Sequence, residues 1–228
     1  MNKKVKHGTL LTIIITVLSL LYVYPIILVF INSFKKKAYI SKAPFKIPTG
    51  KMYVGLENYI RGIKQTGLIQ AFGWSLFITI FSVAVIILCC SMCAWYICRV
   101  KNAATNTIYY LCLFSMIVPF QMVMFTLSKI ANILHLNNPV GIIVVYLGFG
   151  AGLSVFMFTG FMKSIPLEIE EAAMIDGCTP IQTFFKVVLP IAKPTCFTVT
   201  ILQAMWIWND YLLPSLVLDQ RKYKTVPM

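Results

Sequence analysis

The sequence contains very little charge, and acidic residues are especially scarce. Of its 228 residues, 7 are Asp or Glu and 12% are charged, whereas 59% are hydrophobic. A soluble globule of this size needs more polar surface than this composition supplies. The composition therefore excludes a soluble enzyme and predicts an all-α, polytopic membrane protein.

Several chemical signatures are also missing. No GxxxxGK[ST] stretch occurs, so the chain has no phosphate-binding loop of its own. It has no Ser–His–Asp or paired-carboxylate constellation, and we therefore expect no catalysis by this chain. Cys90 and Cys93 lie in an apolar run without a second pair or a neighbouring His, which favours packing over a metal site. Gly148, Gly150 and Gly152 lack the setting of a nucleotide fingerprint, and they indicate close helix packing.

The 20 basic residues give a net charge of +13, which in a soluble chain would suggest nucleic acid. Here they lie between apolar runs, so they indicate anionic lipid and membrane topology, and no nucleic-acid partner is expected.

Five charge-poor runs are long enough to cross a bilayer, which takes about 20 residues. They cover residues 10–34 and approximately residues 72–98, 107–127, 139–161 and 195–217. The longest connection, residues 35–70, contains a predicted short interfacial helix near residues 55–60.

Residues 163–190, KSIPLEIEEAAMIDGCTPIQTFFKVVLP, combine acidic residues with helix start and stop signals. Ser164 and Pro166 predict the start of a short helix, and Gly177 predicts its left-handed end. Thr179 and Gln182 have the spacing of a capping box for a second helix.

In that second helix, Ile181, Phe184, Phe185 and Val188 form an apolar stripe at α-helical spacing, and Pro190 is predicted to end it. Two short helices bent at a glycine predict a docking element. The spacing alone leaves open an amphipathic connector that lies on the lipid interface.

Polar residues near the last apolar run are candidates for a translocation pathway. Asp210 is a carboxylate in an apolar setting, which is a functional-site hypothesis by default. Its neighbours Trp206, Trp208 and Asn209 supply the aromatic faces and the hydrogen-bonding amide that sugar-binding sites use. For Asp210, the alternative is an interfacial anchor and helix cap. Gln121 and Gln203 are further candidates for polar groups that face a bundle interior.

The segment from Glu171 to Pro190 resembles the EAA motif of ABC importer permeases. The matching positions are Glu171-Ala172-Ala173, Gly177 and Leu189-Pro190, with Val187 where the family usually has Ile. The stretches EEAAMIDGCTP and WNDYLLP look like the carbohydrate branch of that family, the maltose-type permeases.

This resemblance implies a helical bundle in a bacterial plasma membrane that pairs with a second, homologous permease subunit. A P-loop ATPase dimer would bind ATP and Mg²⁺, so that this chain binds no cofactor, and an extracellular solute-binding protein would deliver a sugar. Glu171 would meet the ATPase, Ala172 and Ala173 would allow its close approach, and Gly177 would supply the bend.

Orientation follows from the same resemblance, since a loop that docks an ATPase must be cytosolic and four earlier spans then make the N-terminus cytosolic too. A count of positive charges disagrees, because only 8 of the 20 basic residues, Lys3, Lys4 and Lys6 among them, would lie inside.

Similar permeases usually have six spans, whereas five are visible here, so we expect residues 1–228 to form a single permease domain that lacks its last helix. The sequence does not name the solute. The alternatives are a permease for another small solute and a standalone secondary transporter or membrane scaffold.

Overall fold

The computed structural model describes residues 8–228, in which the regular secondary structure is helical and one isolated bridge joins Lys35 and Tyr53. Its internal contacts divide the chain into two compact units, residues 1–68 and 69–228. The predicted cytosolic lysines Lys3, Lys4 and Lys6 lie outside the described residues.

The first unit contains α1 (Gly8–Ser33), α2 (Lys37–Lys42) and α3 (Glu57–Thr66). The first span is therefore confirmed, and the helix expected near residues 55–60 begins at Glu57 and runs further than predicted. Lys35 is fully buried between these helices. Its Nζ donates to Asn32 Oδ1 at 2.9 Å, to Ala43 O at 2.9 Å and to Pro44 O at 3.1 Å, which satisfies all three ammonium donors.

The second unit continues the chain to its end. Its helices are α4 (Leu68–Arg99), α5 (Ala103–Ile117), α6 (Phe120–Ile133), α7 (Pro139–Met162), α8 (Leu167–Ile175), α9 (Pro180–Thr183), α10 (Leu189–Ile191), α11 (Lys193–Asn209) and α12 (Leu212–Val217).

Within residues 8–228, three helices are long and apolar enough to cross a membrane, or up to five spans if each bent helix pair counts as one. α1, α4 and α7 match three of the predicted spans. The expectation of an unbroken third span over residues 107–127 is wrong, because α5 and α6 meet at an angle of 109°. Pro119 explains the break, since it has no N–H and disfavours helical backbone at Val118, which adopts an extended conformation.

The fifth predicted span is also interrupted. α11 ends at Asn209, and the extended backbone of Asp210 separates it from the short α12. The pair formed by residues 180–191 and α11 is bent by 76°. An apolar run therefore located the segment but did not reveal its breaks, because hydropathy is insensitive to backbone direction.

Small residues allow close packing in the second unit, as predicted for two of the three glycines. A Cβ at Gly150 would lie 2.7 Å from Ile86 Cδ1, and one at Gly152 would lie 2.8 Å from Cys112 O. Gly148 has no atom within 4 Å of such a Cβ. The close approach of α7 to α5 thus depends on Gly152, and Gly150 leaves room for the side chains of Ile86 and Gln203.

Candidate functional site

The first arm of the 163–190 segment is α8, and local chemistry ends it where the sequence predicted. Gly177 has a φ of +87°, in the left-handed region that favours glycine. The Cys178 N–H donates to Ala173 O and the Gly177 N–H to Met174 O, each at 3.0 Å. This pair of bonds is a Schellman motif, which satisfies carbonyls that the helix end would otherwise leave free.

The start of α8 differs slightly from the prediction. Pro166 precedes the helix as its N-cap, and the Ser164 hydroxyl donates to Phe161 O at 2.7 Å, so it does not cap α8.

The second arm begins with the predicted capping box. The Gln182 N–H donates to Thr179 Oγ1 at 3.3 Å, and the Thr179 N–H donates to Gln182 Oε1 at 2.9 Å. The chain then stays helical to Ile191, but residues Phe184–Val188 form a π-helical turn.

This π-helical turn overturns two expectations. Pro190 does not end the helix; it lies within α10, directly after the wide turn in which the Leu189 N–H donates to Phe184 O. The predicted apolar stripe also splits, because the wide turn changes the 3.6-residue period on which it was based. Phe184 and Val188 are fully buried, whereas Ile181 and Phe185 are exposed.

Glu170 is a buried, hydrogen-bonded carboxylate that the sequence reasoning missed. Its side chain is 1% exposed, and its Oε1 accepts from Arg99 Nη2 at 2.6 Å and from Arg99 Nε at 3.0 Å. Its Oε2 accepts from Trp95 Nε1 at 2.9 Å. The Arg99 Nη2 also donates to Ile165 O at 3.0 Å. These bonds tie the start of α8 to the end of α4.

Trp95 connects the second arm to the same point on α4. Its ring lies 5.5 Å from that of the buried Phe184, measured between centroids. Both arms of the segment are therefore anchored to one turn of α4, one through a charged pair and the other through aromatic packing. The only hint in the sequence was a pair of opposite charges, Arg99 and Glu170, at the ends of apolar runs.

The side of segment 163–190 that faces away from α4 is exposed. Glu171, Ala172 and Gly177 are exposed, Ala173 is half-buried, and Leu189 packs partly against the core beside the exposed Pro190. The segment thus presents Glu171, Ala172 and Gly177 outward while Glu170 faces inward.

The pathway candidates do not all come together. Gln203 and Trp206 line a cavity of about 300 Å³ together with Ser115, Met116 and Gly150, among others. Gln203 is buried, and its Nε2 donates to Gly150 O at 3.2 Å and to Ser154 Oγ at 3.0 Å. Its Oε1 has no hydrogen-bond partner among residues 8–228, so this buried amide keeps a free acceptor.

The remaining candidates lie elsewhere. Asp210 caps α12, because its Oδ1 accepts from the Leu212 N–H at 3.0 Å and its Oδ2 from the buried Tyr146 hydroxyl at 3.2 Å. This is the arrangement that the helix-cap alternative predicts. Trp208 packs edge-on against Phe72, and Asn209 and Gln121 are exposed.

Among residues 8–228, no three His, Cys, Asp or Glu side chains lie close enough to hold a metal ion. The cysteines in this range, Cys90 and Cys93 included, are free thiols.

Comparisons with known proteins place this geometry in a family. Residues 91–222 match the family model described as binding-protein-dependent transport system inner membrane component. The chain is 39% identical to the probable starch degradation products transport system permease protein AmyC of Thermoanaerobacterium thermosulfurigenes, over 96% of this chain and 79% of that protein. It is 33% identical to the multiple sugar-binding transport system permease protein MsmG of Streptococcus mutans serotype c, over 91% of this chain and 75% of that protein.

The fold has a solved counterpart. A chain from the crystal structure of a bacterial ABC transporter involved in the import of the acidic polysaccharide alginate matches with a TM-score of 0.79 and 23% identity, covering 100% of this chain and 79% of that one. The family model, the relatives and the apolar helices agree. This chain belongs to the binding-protein-dependent transport system inner membrane components, the multi-pass permease subunits of ABC importers.

Proposed function

We propose that this chain is one of two permease subunits of an ATP-driven importer that moves a sugar or oligosaccharide into a bacterial cell. Relatives named for starch degradation products, multiple sugars and diacetylchitobiose support the substrate class. ATP and Mg²⁺ bind to a separate ATPase dimer, because no phosphate-binding loop occurs in this sequence. A second, homologous permease and an extracellular solute-binding protein complete the assembly.

The observation that carries this proposal is the two-sided segment 163–190. A docking element needs one exposed face for its partner and a stiff connection to the part that it moves. Glu171 and Ala172 supply the exposed face, and the bonds from Arg99 and Trp95 to Glu170 supply the connection. Arg99 donates twice to Glu170 Oε1 and Trp95 donates to Oε2, so the carboxylate is held through both oxygens, and hydrogen bonds to a charged group are stronger than neutral ones.

The mechanism follows from that stiffness. Closure of the ATPase dimer displaces α8, and α4 moves with it because Glu170 is bonded to the last turn of α4. The bundle then changes between inward-facing and outward-facing arrangements as a rigid-body, two-state transition. Gly177 keeps the two arms at a fixed angle, so that displacement is transmitted.

ATP is cytosolic, so the proposal places residues 163–190 and the N-terminus in the cytosol. The sugar contacts are assigned to Gln203 and Trp206, since both residues line one cavity and the aromatic ring of Trp206 is half-exposed. Gln121, Trp208, Asn209 and Asp210 do not line this cavity, so no sugar contact is assigned to them.

The test is purification of the tagged chain from its native membranes, with identification of co-purifying subunits and measurement of ATP-dependent sugar uptake. Glu171→Lys should remove the ATPase from the complex and abolish uptake. Glu57→Lys is the matched control, because Glu57 is an exposed carboxylate in the first unit and its pair with Arg61 contributes little. Recovery of the chain without any ATPase, or uptake that continues without ATP, would contradict the proposal and favour a standalone transporter.

A further inference from the structure

A second cavity lies beside the C-terminal ends of α4 and α7. Its volume is about 380 Å³, within the range of about 300–1,000 Å³ that is typical of small-molecule sites. Its lining residues are Ile97, Cys98, Arg99, Lys101, Asn106, Tyr109, Tyr110, Thr159 and Lys163. None of the pathway candidates belongs to this set.

The cavity carries uncompensated positive charge. In residues 8–228 the ion pairs are Arg61–Glu57 and Arg99–Glu170, so neither Lys101 nor Lys163 has a carboxylate partner. Arg99 is neutralised by Glu170, yet its Nη1 has no hydrogen-bond partner in the same part of the chain. Two positive charges therefore remain in one concave site, which favours an anionic occupant.

Polar groups around the lysines suit an anion with several acceptor oxygens. The Asn106 amide and the hydroxyls of Tyr109 and Tyr110 can donate hydrogen bonds. Lys163 Nζ lies 5.7 Å from the centre of the Tyr109 ring, a cation–π contact that holds the ammonium at the cavity.

The geometry points to a phosphate-binding site formed by Lys101, Lys163 and Arg99. A phosphate mono- or diester has the charge and the oxygens that these donors require. The site lies at the ends of two helices that are long and apolar enough to cross the membrane, the depth at which lipid headgroups are found. An anionic phospholipid headgroup and free phosphate share this chemistry, and the experiment below separates them.

The test uses the complex purified from native membranes and reconstituted in nanodiscs, with no transport step, so its result is independent of the proposed function. Retained lipid is counted by native mass spectrometry in phosphatidylglycerol and in phosphatidylcholine discs, and inorganic phosphate binding is measured in phosphatidylcholine discs. Lys101→Gln with Lys163→Gln should weaken binding of the anion at least tenfold.

Two matched variants accompany that pair. Lys186→Gln with Lys193→Gln changes the net charge equally and at exposed positions outside the cavity, and it should keep the bound anion. Lys101→Arg with Lys163→Arg preserves the charge and should restore binding, which shows that folding is intact.

Phosphatidylglycerol retention that is lost only in the cavity variant identifies a lipid site. Inorganic phosphate binding that is lost only in that variant, without lipid retention, identifies a site for free phosphate. Equal binding by the two glutamine pairs, or no anion bound by the unmodified chain, would overturn the inference.

Discussion

Adjacent glutamates have opposite environments in α8. Successive helical positions are about 100° apart around the axis, so Glu170 faces the bundle while Glu171 faces solvent. The buried carboxylate is satisfied by Arg99 and Trp95, and the exposed one is free to meet a partner. Of these two neighbouring glutamates, Glu170 thus attaches α8 to α4, and Glu171 is exposed for contact with a partner.

Glu170→Gln should lower the free energy of unfolding by about 2–3 kcal/mol. Loss of one partner from a fully buried pair costs about 3–5 kcal/mol, and the value is smaller here because 20% of the Arg99 side chain remains exposed. Thermal unfolding in detergent measures the change. Glu168→Gln is the control in the same first turn, where the exposed carboxylate should be replaceable within about 0.5 kcal/mol. Equal effects of the two changes would contradict the role of Glu170.

The glycines of α7 give a second residue-scale prediction. Gly152→Ala should destabilise the fold by about 1–3 kcal/mol, because the new methyl would press on the α5 backbone at Cys112 O, which cannot rotate away. Gly148→Ala should be neutral or slightly stabilising, since the site is open and alanine favours helix. Unfolding midpoints of the two variants in the same detergent test this contrast, and similar midpoints would count against it.

For single residues, the sequence predicts features that have a local signal better than contacts between residues that are distant in the chain. The helix end at Gly177 was identifiable because a C-terminal glycine is a local signal, whereas Glu171 was singled out by resemblance to the EAA motif. The pairing of Glu170 with Arg99 was not, because the two residues are 71 positions apart and only the fold brings them together. The same limit explains why Gly148 and Gly152 were predicted alike and differ in the structure.

At the scale of elements, the segment 163–190 combines two rigid ends with one fixed corner. The Schellman motif at Gly177 and the capping box at Thr179 lie next to each other, so hydrogen bonds hold the corner on both sides. Buried Phe184 and Val188 hold the second arm to the core. The proposed mechanism requires this segment to move as one body, and these contacts support that requirement.

Gly177→Val should abolish sugar uptake while membrane insertion stays normal. A β-branched residue is strained at a φ of +87°, although the surrounding space is open, so the defect comes from backbone conformation and not from a clash. Uptake assays and membrane-fraction blots measure the two properties. Gly177→Asn is the matched control, because Asn tolerates the left-handed region, and it should retain most of the uptake. Full uptake by the valine variant would rule out the fixed corner.

Element types were predictable from periodicity and capping residues, whereas their irregularities were not. The π-helical turn at Phe184–Val188 has no sequence signature in a pattern that assumes 3.6 residues per turn. The breaks at Pro119 and Asp210 lie within apolar runs, where composition stays uniform while the backbone turns.

For the whole molecule, charge counting and the docking argument disagree on orientation. Eight of the basic residues lie in the connection of residues 35–70, which the proposal places outside the cell. One of them, Lys35, has its ammonium buried and fully hydrogen-bonded within the first unit. In the folded protein this lysine holds a loop together and presents no charge to lipid headgroups.

Cysteine labelling tests the orientation. In a variant whose other cysteines are replaced by serine, Cys178 should react with a membrane-impermeant maleimide only after the membrane is permeabilised. A cysteine introduced by Gln65→Cys in a cysteine-free background is the control, and it should react in intact spheroplasts. Labelling of Cys178 from outside would invert the topology and remove the basis for ATPase docking.

The 109° turn between α5 and α6 leaves backbone carbonyls without helical partners. The last carbonyls of α5 have no helical N–H to accept from, and Pro119 offers none. Hydrocarbon cannot hydrate such groups, so irregular backbone at membrane depth is stable only beside protein or water. Ser115 and Met116, just before the turn, line the same cavity as Gln203. If the proposed function holds, this kink therefore predicts a water-accessible site beside Gln203 at which a hydrated solute would bind.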